Sequence, residues 1–179
     1  MPLKTISLFN GDALGGGLEG ALSSRFVIAE RGAHMGFPEI MFNLFTGMGA
    51  YNFLCKRIAP SLARRIITSA QLYSADEFFE MGIIDLVAEK GCGVEAVESF
   101  IKKHKRSRNG YSAFEKVTQT INPIAYDSLY EIVKIWVDAA FRTTPRDLKI
   151  IERLAKAQIT KSSRVDEKDD LSGSYSSVS

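Results

Sequence analysis

Asn10-Gly11-Asp12-Ala13-Leu14-Gly15-Gly16-Gly17-Leu18-Glu19-Gly20-Ala21-Leu22 is the stretch on which the fold turns. A β-type run, Thr5 to Phe9, enters it, and an apolar-periodic segment, Leu18 to Ser24, leaves it. The pattern predicts strand, tight glycine turn, helix. A glycine turn in that place lets backbone N–H groups come close to a ligand and aims them, with the helix dipole, at developing negative charge. The same composition also serves a plain tight turn or a phosphate-binding loop. Glu19 sharpens the choice, because it is an ionisable group in the first turn of a helix whose other residues are Leu18, Ala21 and Leu22. An exposed glutamate complementing the dipole is the alternative.

Working outward, Arg25 to Ala29 reads as a second buried strand and Ala33 to Gly36 as a short one that ends before Pro38, which cannot donate to a ladder. Glu39 is therefore expected on a loop, Phe37-Pro38-Glu39-Ile40, with its carboxylate either in water at a sheet edge or inside an apolar cleft. In a shared cleft, two carboxylates shift each other's pKa and can divide acid and base work between adjacent carbons. Helices follow at about Gly49 to Ile58, Ser61 to Ala70 and Ser74 to Met81. The last has a capping box, Ser74-x-x-Glu77, and a C-terminal stop at Gly82. Ile83 to Ala88 returns as a strand.

From Gly93 onward the pattern is helical, which divides the chain into a mixed α/β part over 1–90, a helical part over 91–159 and a tail over 160–179. Leu129, Ile132, Val133, Trp136, Val137 and Ala140 paint one apolar stripe on a helix from Tyr126 to Thr143. Trp136 either packs in the core or lines a long pocket. Thr144 as N-cap and Pro145 at the first position start a further helix to Gln158 that buries Leu148, Ile151, Leu154 and Ala155. The two helices are expected to pack together over the cleft. The Ser-rich, charged tail is expected to stay flexible.

Composition narrows the function. The 23 basic and 21 acidic residues leave a formal charge of +2 spread along the chain, so a nucleic-acid partner is not expected. No run approaches the roughly 18 apolar residues of a membrane span, and Met1-Pro2-Leu3-Lys4-Thr5 lacks the apolar region of a signal peptide, so a cytoplasmic location is expected. Cys55 and Cys92 form no metal-type cluster and are read as free thiols, buried or half-exposed. No metal is expected. His34 is read as structural, and His104 belongs to the cationic run Lys102-Lys103-His104-Lys105-Arg106. That run is either a solvated helix end or a docking face for an acidic partner such as an acyl carrier protein.

The opening stretch, followed by Gly36-Phe37-Pro38-Glu39, Gly47-Met48-Gly49-Ala50, Leu72-Tyr73-Ser74-Ala75-Asp76-Glu77 and Met81-Gly82-Ile83-Ile84-Asp85-Leu86-Val87, resembles the signature of the crotonase (enoyl-CoA hydratase/isomerase) superfamily. Within it, Met48-Gly49-Ala50-Tyr51 and Ile135-Trp136-Val137-Asp138 look most like the diffusible-signal-factor synthases. The resemblance implies an α/β fold, a crotonase-like ββα spiral with a helical C-terminal subdomain, assembled as a homotrimer. It implies dehydration of a 3-hydroxyacyl thioester and thioester hydrolysis, giving a cis-2-unsaturated fatty acid signal. The acyl group would arrive on acyl carrier protein or CoA, with no other cofactor. Carried over, Glu19 and Glu39 are the acid/base pair and Gly16 supplies an oxyanion N–H. Leu14, Gly15, Met48, Trp136 and Leu154 line the acyl pocket. The family's first ββα turns precede this segment, so the chain is expected to represent the C-terminal portion, N-terminally truncated, with one of two oxyanion donors. A general enoyl-CoA hydratase or isomerase and a non-catalytic fragment are the alternatives.

Overall fold

A computed structural model describes residues 5–157. The tail read over 160–179 lies outside the described residues. The chain divides into two compact units, Met1–Phe141 and Arg142–Ser179.

The first unit is built on two small sheets, one parallel and one mixed, joined by helices. β1 (Ile6–Phe9) leads through β2 (Ala13–Leu14) into α1 (Gly16–Leu22), and β3 (Phe26–Glu30) returns beside β1. β4 (His34–Gly36) follows, then a 3₁₀ turn (Glu39–Phe42), α2 (Ala50–Cys55), α3 (Pro60–Ser69), β5 (Leu72–Ser74), α4 (Ala75–Glu80) and β6 (Leu86–Ala88). One sheet has the order β1-β3-β6, all parallel, with Ile6 opposite Phe26 and Ile28 opposite Leu86. The other has the order β2-β4-β5, with β2 parallel and β5 antiparallel to β4. β3 is the middle strand, and all five of its residues are buried. Its continuous Phe-Val-Ile-Ala run fits a strand covered on both faces, where alternation is lost.

Leu18 and Leu22 of α1, Leu54 of α2, Ile66 of α3 and Phe78 of α4 close a single core with Val27, Met35, Phe37 and Ile83. Polar groups lock its edges. Glu30, buried at the end of β3, accepts N–H bonds from Gly91 (2.8 Å) and Gly93 (2.9 Å), which fixes the turn after β6. Arg57, after α2, donates to the carbonyls of Ser24, Arg25 and Ile83 and to Asp85 Oδ2 at 3.1 Å. Asp85 Oδ2 in turn accepts the Val27 N–H at 2.8 Å.

Three helices complete this unit: α5 (Gly93–Lys105), α6 (Arg108–Ile121) and α7 (Tyr126–Ala140). α5 follows β6 directly, and the compact units divide after Phe141 rather than near residue 91. In the single chain these helices keep apolar side chains in the open, among them Phe114, Ile121, Tyr126 and Ile135. No helix among the described residues is long and apolar enough to cross a membrane.

The structure corrects several expectations. Glu39 opens a 3₁₀ turn rather than lying on a loop, because Pro38 presets the backbone and the Met41 N–H closes onto the Pro38 carbonyl. β2 and β5 appear where no strand was read. Only Leu86–Ala88 of the expected 83–88 strand pairs with β3, since the N–H groups of Ile83 and Ile84 are drawn back to Phe78 at the end of α4. Cys92 is exposed, while Cys55 is half-buried.

In the second unit, residues 145–157 are helical. Thr144 caps them as expected: its hydroxyl and its N–H both donate to Asp147 Oδ2, each at 2.8 Å, and Asp147 returns its own N–H to Thr144 Oγ1.

Candidate active site

Glu19 sits in α1 and is 2% exposed. The turn before it explains how a carboxylate comes to be there. Gly15 caps α1 at φ 54°, ψ −127°, a conformation that only glycine adopts without strain. Its N–H donates to the Gly36 carbonyl at 3.0 Å, which ties the turn to β4, and its carbonyl accepts the Glu19 N–H at 3.0 Å. Glu19 Oε2 accepts the backbone N–H groups of Met48 (2.8 Å) and Ala50 (3.0 Å). Gly49, at φ 98°, makes the left-handed bend between these two donors. Burial pushes the Glu19 pKa up, and the N–H groups of Ala50, Met48 and Gly47 oppose it.

Glu39 reaches the same place from the other side. A Cβ added at Gly15 would lie 2.5 Å from Glu39 Oε1, so the glycine is what makes room for this carboxylate. Glu39 Oε2 is buried and has no hydrogen-bond partner among the described residues. Its pKa is raised to about 7, first by burial and further by the charge of Glu19, against the effect of its own backbone N–H. Glu39 therefore lies near enough to Glu19 to feel its charge.

Of the other residues singled out, Gly16 carries the Met48 side chain, whose Cε would be 2.8 Å from a Cβ placed there. Leu14 ends β2 opposite Gly36. Trp136 of α7 rests on Gly47, where an added Cβ would collide with its ring. Leu154 lies in the second unit, within the helical stretch 145–157. An apolar cavity of about 240 Å³ opens beside the 46–50 segment, between Phe45, Thr46, Tyr51, Ile67 and Ile132. The sequence pattern assigned no role to the amides of Met48 and Ala50 and placed Leu129 only in the apolar stripe, whereas Leu129 rests on Gly49. The signal was the glycine on each side of Met48.

The histidines stand apart from this cleft chemistry. His34 is exposed, with its Nδ1 3.5 Å from Asp12 Oδ1, and its backbone N–H donates to the same oxygen at 2.9 Å. The His104 ring stacks on Phe100 at 3.9 Å and touches Phe26 and Tyr111.

A glutamate behind a glycine turn, near a second glutamate behind a short strand, on one parallel and one mixed sheet, is a specific arrangement. Residues 1–129 match the family model described as enoyl-CoA hydratase/isomerase. The chain belongs to the enoyl-CoA hydratase/isomerase family. Its fold is crotonase-like. The chain is 34% identical over 89 residues to a crotonyl-CoA hydratase of Syntrophomonas wolfei, an alignment covering 50% of this chain and 34% of the relative. Among solved structures it resembles a candidate enoyl-CoA hydratase from Streptomyces avermitilis, with TM-score 0.74 and 20% identity over 88% of this chain and 56% of that one. It also resembles the carnitinyl-CoA hydratase of Mycobacterium avium, with TM-score 0.63 and 21% identity over 77% and 56%. The chain thus spans about a third of the curated relative and a little over half of these solved chains.

Proposed function

We propose that this chain carries the acid/base pair of an enzyme that removes water from, or adds it to, an acyl thioester. The observation that carries the reading is the buried Oε2 of Glu39, without a hydrogen-bond partner among the described residues and within reach of the charge of Glu19. With a pKa near 7, Glu39 exchanges protons readily at neutral pH. In dehydration of a 3-hydroxyacyl thioester, one carboxylate takes the proton from Cα and the Cβ–O bond breaks. The other carboxyl gives its proton to the departing hydroxyl, which leaves as water. The thioester oxygen becomes negative as the Cα proton departs, and the N–H of Gly16 at the start of α1 is assigned to meet it. Leu14, Gly15 and Met48 border the acyl group in this reading.

The finer proposal is a synthase of a cis-2-unsaturated fatty acid signal, in which water then cleaves the thioester to free acid and thiol. Its support is the Met48-Gly49-Ala50-Tyr51 turn and the placing of Trp136 against that turn. An acyl carrier protein or CoA as carrier, and a homotrimer, belong to the same proposal, and the open apolar residues of α6 and α7 support an assembly.

The test is mass spectrometry of products after incubation with 3-hydroxyacyl and trans-2-enoyl thioesters of CoA and of acyl carrier protein. Turnover that disappears in Glu19→Gln and in Glu39→Gln supports the acid/base pair. Free cis-2-enoic acid supports the signal synthase, and carrier-bound trans-2-enoyl product in its place supports a general hydratase. No turnover of any thioester overturns the enzymatic reading of this chain.

A further inference from the structure

Two side chains of α7 rest on the loop that holds Glu19. Beyond the ring collision at Gly47, a Cβ added there would lie 2.9 Å from the Cβ of Trp136, and one at Gly49 would lie 2.6 Å from Leu129 Cδ2. Leu129 and Trp136 are two helical turns apart on one face of α7. Between the glycines they touch lies Met48, whose amide donates to Glu19, and just after them lies Ala50, the second donor.

The segment between the 3₁₀ turn and α2 has no strand or helix to stiffen it. It is held by Glu19 on its amide side and by α7 through its glycines. No residue larger than glycine would let an indole ring lie that close to the backbone. We propose that α7 is a positioning element for Glu19: Trp136 on Gly47 and Leu129 on Gly49 keep the Met48 and Ala50 amides on Glu19 Oε2. The catalytic consequence rests on the role given to Glu19 above, whereas the clamp itself is a statement about the loop. Trp136 then acts through the loop and is a positioning residue.

The experiment uses the 179-residue chain with ¹³C-labelled glutamate carboxyls, titrated by NMR, alongside hydrogen exchange at the Met48 and Ala50 amides. Loss of the clamp removes two hydrogen bonds to the ionised form, so the Glu19 midpoint should move upward, by about one pH unit. In Trp136→Ala we expect that shift together with roughly tenfold faster exchange of the two amides. Trp136→Phe, which keeps a ring over Gly47, should restore both. An unchanged midpoint and unchanged exchange in a folded Trp136→Ala overturns the proposal. Should Trp136→Ala not fold, Leu129→Ala gives the same readouts at smaller perturbation. If neither folds, α7 is a plain packing element and the proposal fails. No turnover is measured, so an inactive chain with a shifted Glu19 counts against the proposed function alone. An active chain with an unmoved Glu19 counts against the clamp alone.

Discussion

Glu39 couples the cleft to pH. Its ordinary pKa of 4.5 is raised to about 7 in the folded chain, so the folded state holds a proton that the unfolded state has released. The sign follows: this contribution to stability is fully present below about 4.5 and is lost as pH rises through 7. Glu39→Gln is neutral at every pH and keeps the volume. We expect it to match the wild type within about 0.5 kcal/mol at pH 5 and to exceed it by roughly 1–2 kcal/mol at pH 8, the ideal shift being discounted for solvent access. Urea denaturation at the two pH values decides it, and equal stability at pH 8 would place the carboxylate in water. Gly15 faces a different constraint at the same spot. Gly15→Ala must adopt φ 54°, ψ −127° and also displace Glu39 Oε1, so a loss of about 2–4 kcal/mol is expected in the same assay.

At the level of elements, α4 is closed at both ends by local chemistry. Ser74 Oγ accepts the Glu77 N–H at 3.2 Å, and Glu77 Oε2 accepts the Ser74 N–H at 2.7 Å. At the other end Gly82, at φ 80°, donates to Phe79, and Ile83 donates to Phe78, which is a Schellman stop. Ser74→Ala should cost about 1 kcal/mol in denaturant melts, and an unchanged midpoint would mean that packing alone sets this helix. Both ends were legible because the signals are side chains within a few residues of the bonds they make. α1 was read as beginning two residues late, since Gly16 and Gly17 have low helix propensity and the apolar period starts only at Leu18. β2 and β5 were illegible because two- and three-residue strands are set by their partners, β4 in both cases, rather than by their own composition. The site divides in the same way. Glu19 and Glu39 stand out as ionisable residues among apolar ones, while the groups that hold Glu19 are backbone amides, which every residue but proline has.

Across the whole molecule, Arg57 is the cross-brace. Its side chain is 12% exposed and joins the end of α2 to the entry of β3 and to Asp85 before β6. Arg57→Met keeps much of the volume but takes the guanidinium from three carbonyls and leaves the partly buried Asp85 carboxylate without its cation, holding only the Val27 N–H. A loss of about 2–4 kcal/mol is expected, measured by chemical denaturation. A loss below about 0.5 kcal/mol would show that water replaces the guanidinium without cost. The parallel order β1-β3-β6 has a further consequence, in time rather than in energy. Every residue that meets in the cleft on α1, the 3₁₀ turn and the 46–50 segment lies between β1 and β6 in sequence. The middle strand therefore lacks its second partner until the chain has been made through Ala88, and parallel partners cannot be recruited by a tight hairpin. During synthesis the two glutamates leave the ribosome before β6 does and acquire their walls only afterwards. Closure of the core is a long-range step of the kind that slows folding, and until then the apolar face of β3 depends on whatever in the cell covers nascent chains.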